Sequence, residues 1–184
     1  MKALTREQTT ALLKAARAHS ERDWLLILVT YWHGLRASEA IGLRAHDIRD
    51  GFLTVIRLKG SLKTIHPLVA STDSLYDERS GFAALMQGKS AECPLFGITR
   101  QAFGLIVRKH CIASGIPAHL AHPHVLKHSI AVHSIRAAGI EQVQQYLGHK
   151  SMNSTGVYLK SDDTTASTAV QTAVQGALSI AATV

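Results

Sequence analysis

Apolar residues Leu4, Leu12, Leu13 and Ala16 recur at helical spacing near the start of the chain, and Thr5 with Gln8 three residues on makes a capping box that sets where the helix begins. The first helix is expected to run to about His19. Trp24, Leu25, Leu28, Val29 and Trp32 mark a second helix, expected to stop at Gly34, a residue type that accepts the left-handed conformation of a helix C-terminus. The run from Trp24 to Trp32 is the most apolar in the chain, but its nine residues fall far short of the roughly 20 that cross a bilayer, so a buried helix is expected. A short third helix should start at Ala37 or Ser38 and end before Arg44.

Between Gly51 and Leu68 the pattern turns β-rich. Phe52 to Ile56 read as a strand, Lys59-Gly60-Ser61 as a turn and Lys63 to His66 as the return strand, which Pro67 breaks. The result is a hairpin with Lys59 at its tip. From Thr72 onward the period is helical again, with helices expected near 73–87, 99–114, 124–138, 141–147 and 151–159, separated by Pro94, Gly115, Pro117, Pro123, Gly139 and Gly148. The fold class is therefore mainly α with a small antiparallel β-sheet or hairpin.

No boundary is expected before about residue 160, so residues 1–160 read as one domain. The segment 161–184 differs: after Asp162 and Asp163 it carries no charged side chain, and Val170, Val174 and Leu178 form an apolar stripe on an alanine-rich helix. Such a stripe needs a groove, in its own domain or in a neighbour.

A length of 184 residues suits one domain of ordinary size. Lysine and arginine outnumber aspartate and glutamate by 20 to 13, a net charge of +7 that suits a polyanionic partner. The two cysteines, Cys93 and Cys111, are too few for a disulfide framework and lack the CxxC spacing of a zinc or redox site, which points to a reducing cytoplasm. Met1-Lys2 is followed by a polar helix start and no apolar leader, so no export or membrane insertion is expected.

Four segments place phosphate-binding or proton-transferring residues where the chain turns. In His33-Gly34-Leu35-Arg36-Ala37-Ser38-Glu39 the arginine stands beside a helix N-terminus, where its fork and free backbone N–H groups can meet a phosphate, or it can simply pair with Glu39. Lys59 either reaches into a groove or lies in solvent. In His122-Pro123-His124-Val125-Leu126-Lys127-His128-Ser129, the side chains of His124, Lys127 and His128 lie within one turn of one helix face. The fourth segment is Tyr146-Leu147-Gly148-His149, with Tyr158 nine residues beyond the histidine.

Together these segments resemble the tyrosine recombinases, the phage integrase family, whose pattern is an arginine in GLRxSE, a lysine on a β-hairpin, an HxxR helix start, an LGH segment and a tyrosine nine residues past its histidine. Here the positions read Arg36, Lys59, His124 with Lys127, His149 and Tyr158. Leu4-Thr5-Arg6-Glu7-Gln8 is similar to the start of the family's catalytic domain, and the helical DNA-clamping domain that usually precedes it is not in this sequence. Arg57-Leu58-Lys59-Gly60, His66-Pro67-Leu68 and His122-Pro123-His124 look most like the small fimbrial phase-switch invertases.

The resemblance implies DNA strand breakage and rejoining without metal, cofactor or ATP. Tyr158 would attack the scissile phosphate and become a 3′-phosphotyrosine. Since a phenol of pKa near 10 needs a proton acceptor and a positive field, His124 is the implied base or relay. Arg36, Lys127 and His149 would donate to the non-bridging oxygens, and Lys59 would protonate the leaving 5′ oxygen. Glu39 would orient Arg36 or a nearby histidine, and His128 is expected to be structural.

Lys127 replaces the second arginine of the pattern with a point charge, a change expected to slow the step about 10- to 100-fold unless a neighbour fills the gap. The implied partners are double-stranded DNA and three further copies of the chain, a tetramer on DNA and a monomer without it, with the 161–184 segment passed between protomers. Three other readings remain open: a zinc hydrolase built on His119, His122, His124 and His128, a type IB topoisomerase, and a catalytically weakened DNA-binding relative.

Overall fold

The computed structural model describes residues 3–57 and 62–148. Helix α1 (Arg6–His19) begins at the Thr5 capping box: the Thr5 hydroxyl accepts from Gln8 N at 3.1 Å and the Gln8 side chain accepts from Thr5 N at 2.9 Å. Helix α2 (Glu21–Trp32) is buried along its length, from Asp23 to Tyr31. Helices α1, α4 (Glu78–Met86) and α6 (His124–Ala138) pack around it, which explains why its run from Trp24 onward is largely apolar. The remaining helices are α3 (Ala37–Ile41), α5 (Arg100–Ala113) and α7 (Ile140–Tyr146).

The sheet has three antiparallel strands: β1 (Ile48–Arg49), β2 (Phe52–Val55) and β3 (Thr64–Pro67), in that order. A hairpin alone was expected. The extra strand joins β2 through Asp50-Gly51, both at positive φ (53° and 79°), a two-residue turn of the kind Asp-Gly sequences favour. Leu53 pairs with His66 and Val55 with Thr64, and these four point to the core, while Phe52 and Ile65 face outward.

One further boundary differs from expectation. The helix expected from residue 73 starts only at Glu78, capped by Asp77. The preceding residues are held instead by the two tryptophans of α2: Trp24 Nε1 donates to Leu75 O at 2.9 Å and Trp32 Nε1 to Tyr76 O at 3.4 Å. The expected helix at 151–159, the hairpin tip with Lys59, and the segment 161–184 lie outside the described residues. Among the described residues no helix is long and apolar enough to cross a membrane.

Candidate active site

The site is built from the turn between α2 and α3. His33 closes α2, and Gly34 then takes φ +56° in a spot where a Cβ would meet Leu147 Cδ2, so the reversal favours glycine. The turn delivers Arg36 to the start of α3. Glu39, one turn on, grips it twice: Oε1 accepts from Arg36 Nη1 at 2.7 Å and Oε2 from Arg36 N at 2.8 Å. Glu39 is buried, while about a quarter of the Arg36 side chain remains exposed.

That exposed part of Arg36 lines an open cleft of about 560 Å³. Ala37 and Ser38 continue the same wall, Arg100 and Gly104 of α5 form another, and His122, Pro123 and His124 at the start of α6 form the third. Arg36 and His124, far apart in sequence, therefore meet on one cavity.

His124 is exposed at the first position of α6. Partial desolvation of its ring lowers its pKa, and the positive charges of Lys127, His122 and Arg36 lower it further, so its imidazole is neutral at pH 7 and able to accept a proton. His128 lies edge to face against it at 4.3 Å between ring centroids, and burial pulls its pKa to about 4. Among the described residues, no three His, Cys, Asp or Glu side chains are grouped to hold a metal ion.

Lys127 is placed differently from what its helix face suggests. It is 2% exposed and is not part of the cleft lining; its ammonium donates to Gly34 O at 2.8 Å, beneath the turn that carries Arg36. Burial first, and then the Arg57 guanidinium, bring its pKa down to about 7.

Arg57, which the sequence reading gave no role, is the planar cation at this spot. Its side chain is fully buried, and each of its donors finds an acceptor: Nε on Thr64 Oγ1 at 3.0 Å, Nη1 on Gly34 O at 3.2 Å and Glu39 Oε2 at 3.3 Å, Nη2 on His33 O at 3.0 Å and Tyr146 O at 3.1 Å. A charged residue continuing the inward parity of Leu53 and Val55 was the available signal in the sequence. Arg100 was also overlooked; a basic residue in the first turn of a helix, where the dipole disfavours it, was the signal there.

A buried polar chain runs alongside. Glu78 accepts from His33 Nε2 at 2.9 Å, His33 Nδ1 lies 3.0 Å from His66 Nδ1, and His66 stacks on Tyr146 at 4.0 Å. The Tyr146 hydroxyl donates to Trp32 O at 2.7 Å, fixing the end of α7 to the end of α2. Gly148 follows, and its carbonyl accepts from Leu62 N at 3.2 Å at the foot of the hairpin. The described edges of three motif segments thus meet around Gly34. Lys59, His149 and Tyr158 themselves lie outside the described residues.

Residues 2–165 match the family model described as the phage integrase family. The chain is 35% identical over 147 residues to a tyrosine recombinase of Pseudothermotoga lettingae, covering 76% of this chain and 50% of that protein. It is 29% identical over 170 residues to the type 1 fimbriae regulatory protein FimE of Escherichia coli, covering 86% of this chain and 85% of that one. In fold it is similar to lambda integrase as solved in a tetramer bound to a Holliday junction, with a TM-score of 0.66 at 18% identity over 85% of this chain and 47% of the other. The chain spans about half the length of the first of these relatives.

Proposed function

The chain belongs to the phage integrase family of tyrosine recombinases, and on that premise we propose that it is a site-specific recombinase that cuts and rejoins double-stranded DNA through a 3′-phosphotyrosine. The observation that carries this reading is the convergence of Arg36 and His124 on one open, cation-lined cleft.

In the proposed step the Tyr158 oxygen attacks the scissile phosphorus, the phenolic proton passes to the neutral His124, and the bond to the 5′ oxygen breaks as Lys59 protonates it. Arg36 and His149 donate to the non-bridging oxygens, while Lys127, from beneath Gly34, adds positive field and support. In rejoining, a 5′-hydroxyl attacks the phosphotyrosine and the protons return. Bond energy is conserved, so no ATP enters, and the cations supply the charge stabilisation that a metal provides elsewhere. Glu39 is the orienting partner of Arg36, and His128 packs the His124 ring.

Residues 1–160 form the catalytic unit in this reading, and 161–184 a helical segment exchanged between protomers. The working assembly is a tetramer on two DNA sites, a reading supported by the lambda integrase tetramer on its junction; without DNA the chain is a monomer. Its place is with the DNA in the cytoplasm.

The test is a duplex nicked beside the scissile phosphate, so that cleavage releases a short fragment and traps the intermediate. In EDTA the unsubstituted chain should form a covalent protein–DNA adduct, and Tyr158→Phe should form none. DNA binding without any adduct would instead favour the non-catalytic reading.

A further inference from the structure

Arg57 stands at the end of β2, fully buried, with every N–H of its guanidinium bonded. Its acceptors are not a local set. His33 O and Gly34 O belong to the C-terminal end of α2, Tyr146 O to the C-terminal end of α7, Glu39 to α3 and Thr64 to β3. Helix C-termini present carbonyls without intrahelical partners and a partial negative charge, both of which a buried guanidinium answers. One planar group therefore fixes how the end of α2, from which Arg36 follows, stands relative to the end of α7, from which His149 follows, and to the foot of the hairpin.

Stability alone is a poor reason for this arrangement, because a buried ion pair such as Arg57–Glu39 is often matched or exceeded in stability by apolar side chains of like volume. What apolar residues lack is the fixed fork that holds several acceptors at set angles. Glu39 is shared: Oε1 takes the Arg36 guanidinium, while Oε2 takes both the Arg36 backbone N–H and, at 3.3 Å, Arg57, so the position of Arg36 depends on where Arg57 holds its partner.

We propose that Arg57 is a positioning residue for strand cleavage, holding the Gly34 turn, Glu39 and the end of α7 in the one arrangement in which Arg36 and His124 face the same phosphate. The role rests on the strand-transfer reading above. It is one of placement: Arg57 touches neither DNA nor the reacting atoms.

The test measures single-turnover adduct formation by the full chain on two nicked duplexes, one with the ordinary phosphodiester and one with a methylphosphonate at the scissile position. The methylphosphonate lacks the negative charge that the Arg36 clamp serves. Arg57→Gln and Arg57→Lys are both expected to slow cleavage of the phosphodiester about 10- to 100-fold, with DNA affinity near that of the unsubstituted chain, and to lose much less on the methylphosphonate.

Lysine keeps the charge but not the fork, so it should not rescue. Equal losses on both substrates, or full rescue by lysine, would overturn the proposal. Thr64→Val removes only the bond to Nε and should show the same selectivity in smaller size. If the Arg57 variants do not fold, an unchanged rate in Thr64→Val overturns the proposal and a selective loss supports it. If the unsubstituted chain forms no adduct, the strand-transfer reading itself fails, and the role of Arg57 falls with it.

Discussion

Lys127 and Arg57 donate to the same acceptor, the carbonyl oxygen of Gly34, at 2.8 and 3.2 Å. Among the described residues, the charged groups that act on Lys127 are Arg57, Arg36 and one carboxylate, Glu39. Burial does most to depress the lysine toward neutrality in the free protein, and the excess of positive over negative charge around it lowers it further. An anion beside Arg36 would restore the balance. The guanidinium beside Gly34 comes from Arg57, just past β2, and the ammonium from Lys127 of α6.

The pH dependence of DNA binding follows from this balance. Phosphate favours the charged lysine, so above the free-protein pKa of about 7 binding must take up a proton, and below it binding takes up none. Affinity should thus fall as pH rises from 7 to 8.5, by as much as about tenfold per pH unit if the whole proton is taken up. Lys127→Met should be weaker at pH 6.5 but nearly flat over the same range. Fluorescence anisotropy on a fixed duplex at constant ionic strength checks this, and parallel pH profiles for the two proteins would refute it.

Gly34→Ala should damage both fold and function. The new methyl group meets Leu147 Cδ2 and the backbone is left-handed, so overpacking is expected to cost about 1–3 kcal/mol. For a chain of this size that lowers the melting temperature by roughly 2–4 °C per kcal/mol. Because the carbonyl used by both cations shifts as well, cleavage well below the melting temperature should fall too. An unchanged melting curve would contradict the packing described here.

Arg100→Ala tests the cleft as a DNA surface. The side chain is exposed in the first turn of α5 and lines the cavity opposite Arg36, so its loss should leave stability within about 0.5 kcal/mol. Affinity should drop alike for specific and random duplexes, and the slope of log K against log salt should become shallower by about one. A salt titration that leaves the slope unchanged would place the DNA elsewhere.

Much of this was legible in the sequence because it is local. The Thr5–Gln8 box, the apolar run of α2 from Trp24 and the stop at Gly34 each follow from residues within one or two turns. The start of α4 was misplaced because Leu75 and Tyr76 continue a helical pattern, while their carbonyls are in fact taken by Trp24 and Trp32 from another helix. Strand β1 is only two residues long and exists by pairing with β2, too short to show a period. Arg57, and the chain from Glu78 through His33 to His66, were not legible as a site because most of their partners are remote in sequence, brought together only when α2, the sheet and α7 pack.

In the proposed reaction one tyrosine, Tyr158, carries the DNA. This is tested most directly by trapping the adduct on a nicked duplex, digesting protein and DNA, and locating the remaining nucleotide by mass spectrometry. Trypsin releases Tyr158 in the peptide from Ser151 to Lys160, where it is the sole tyrosine. The nucleotide is expected on that peptide, on Tyr158, linked through its 3′ phosphate. A nucleotide on any other residue, or a 5′ linkage, would contradict it.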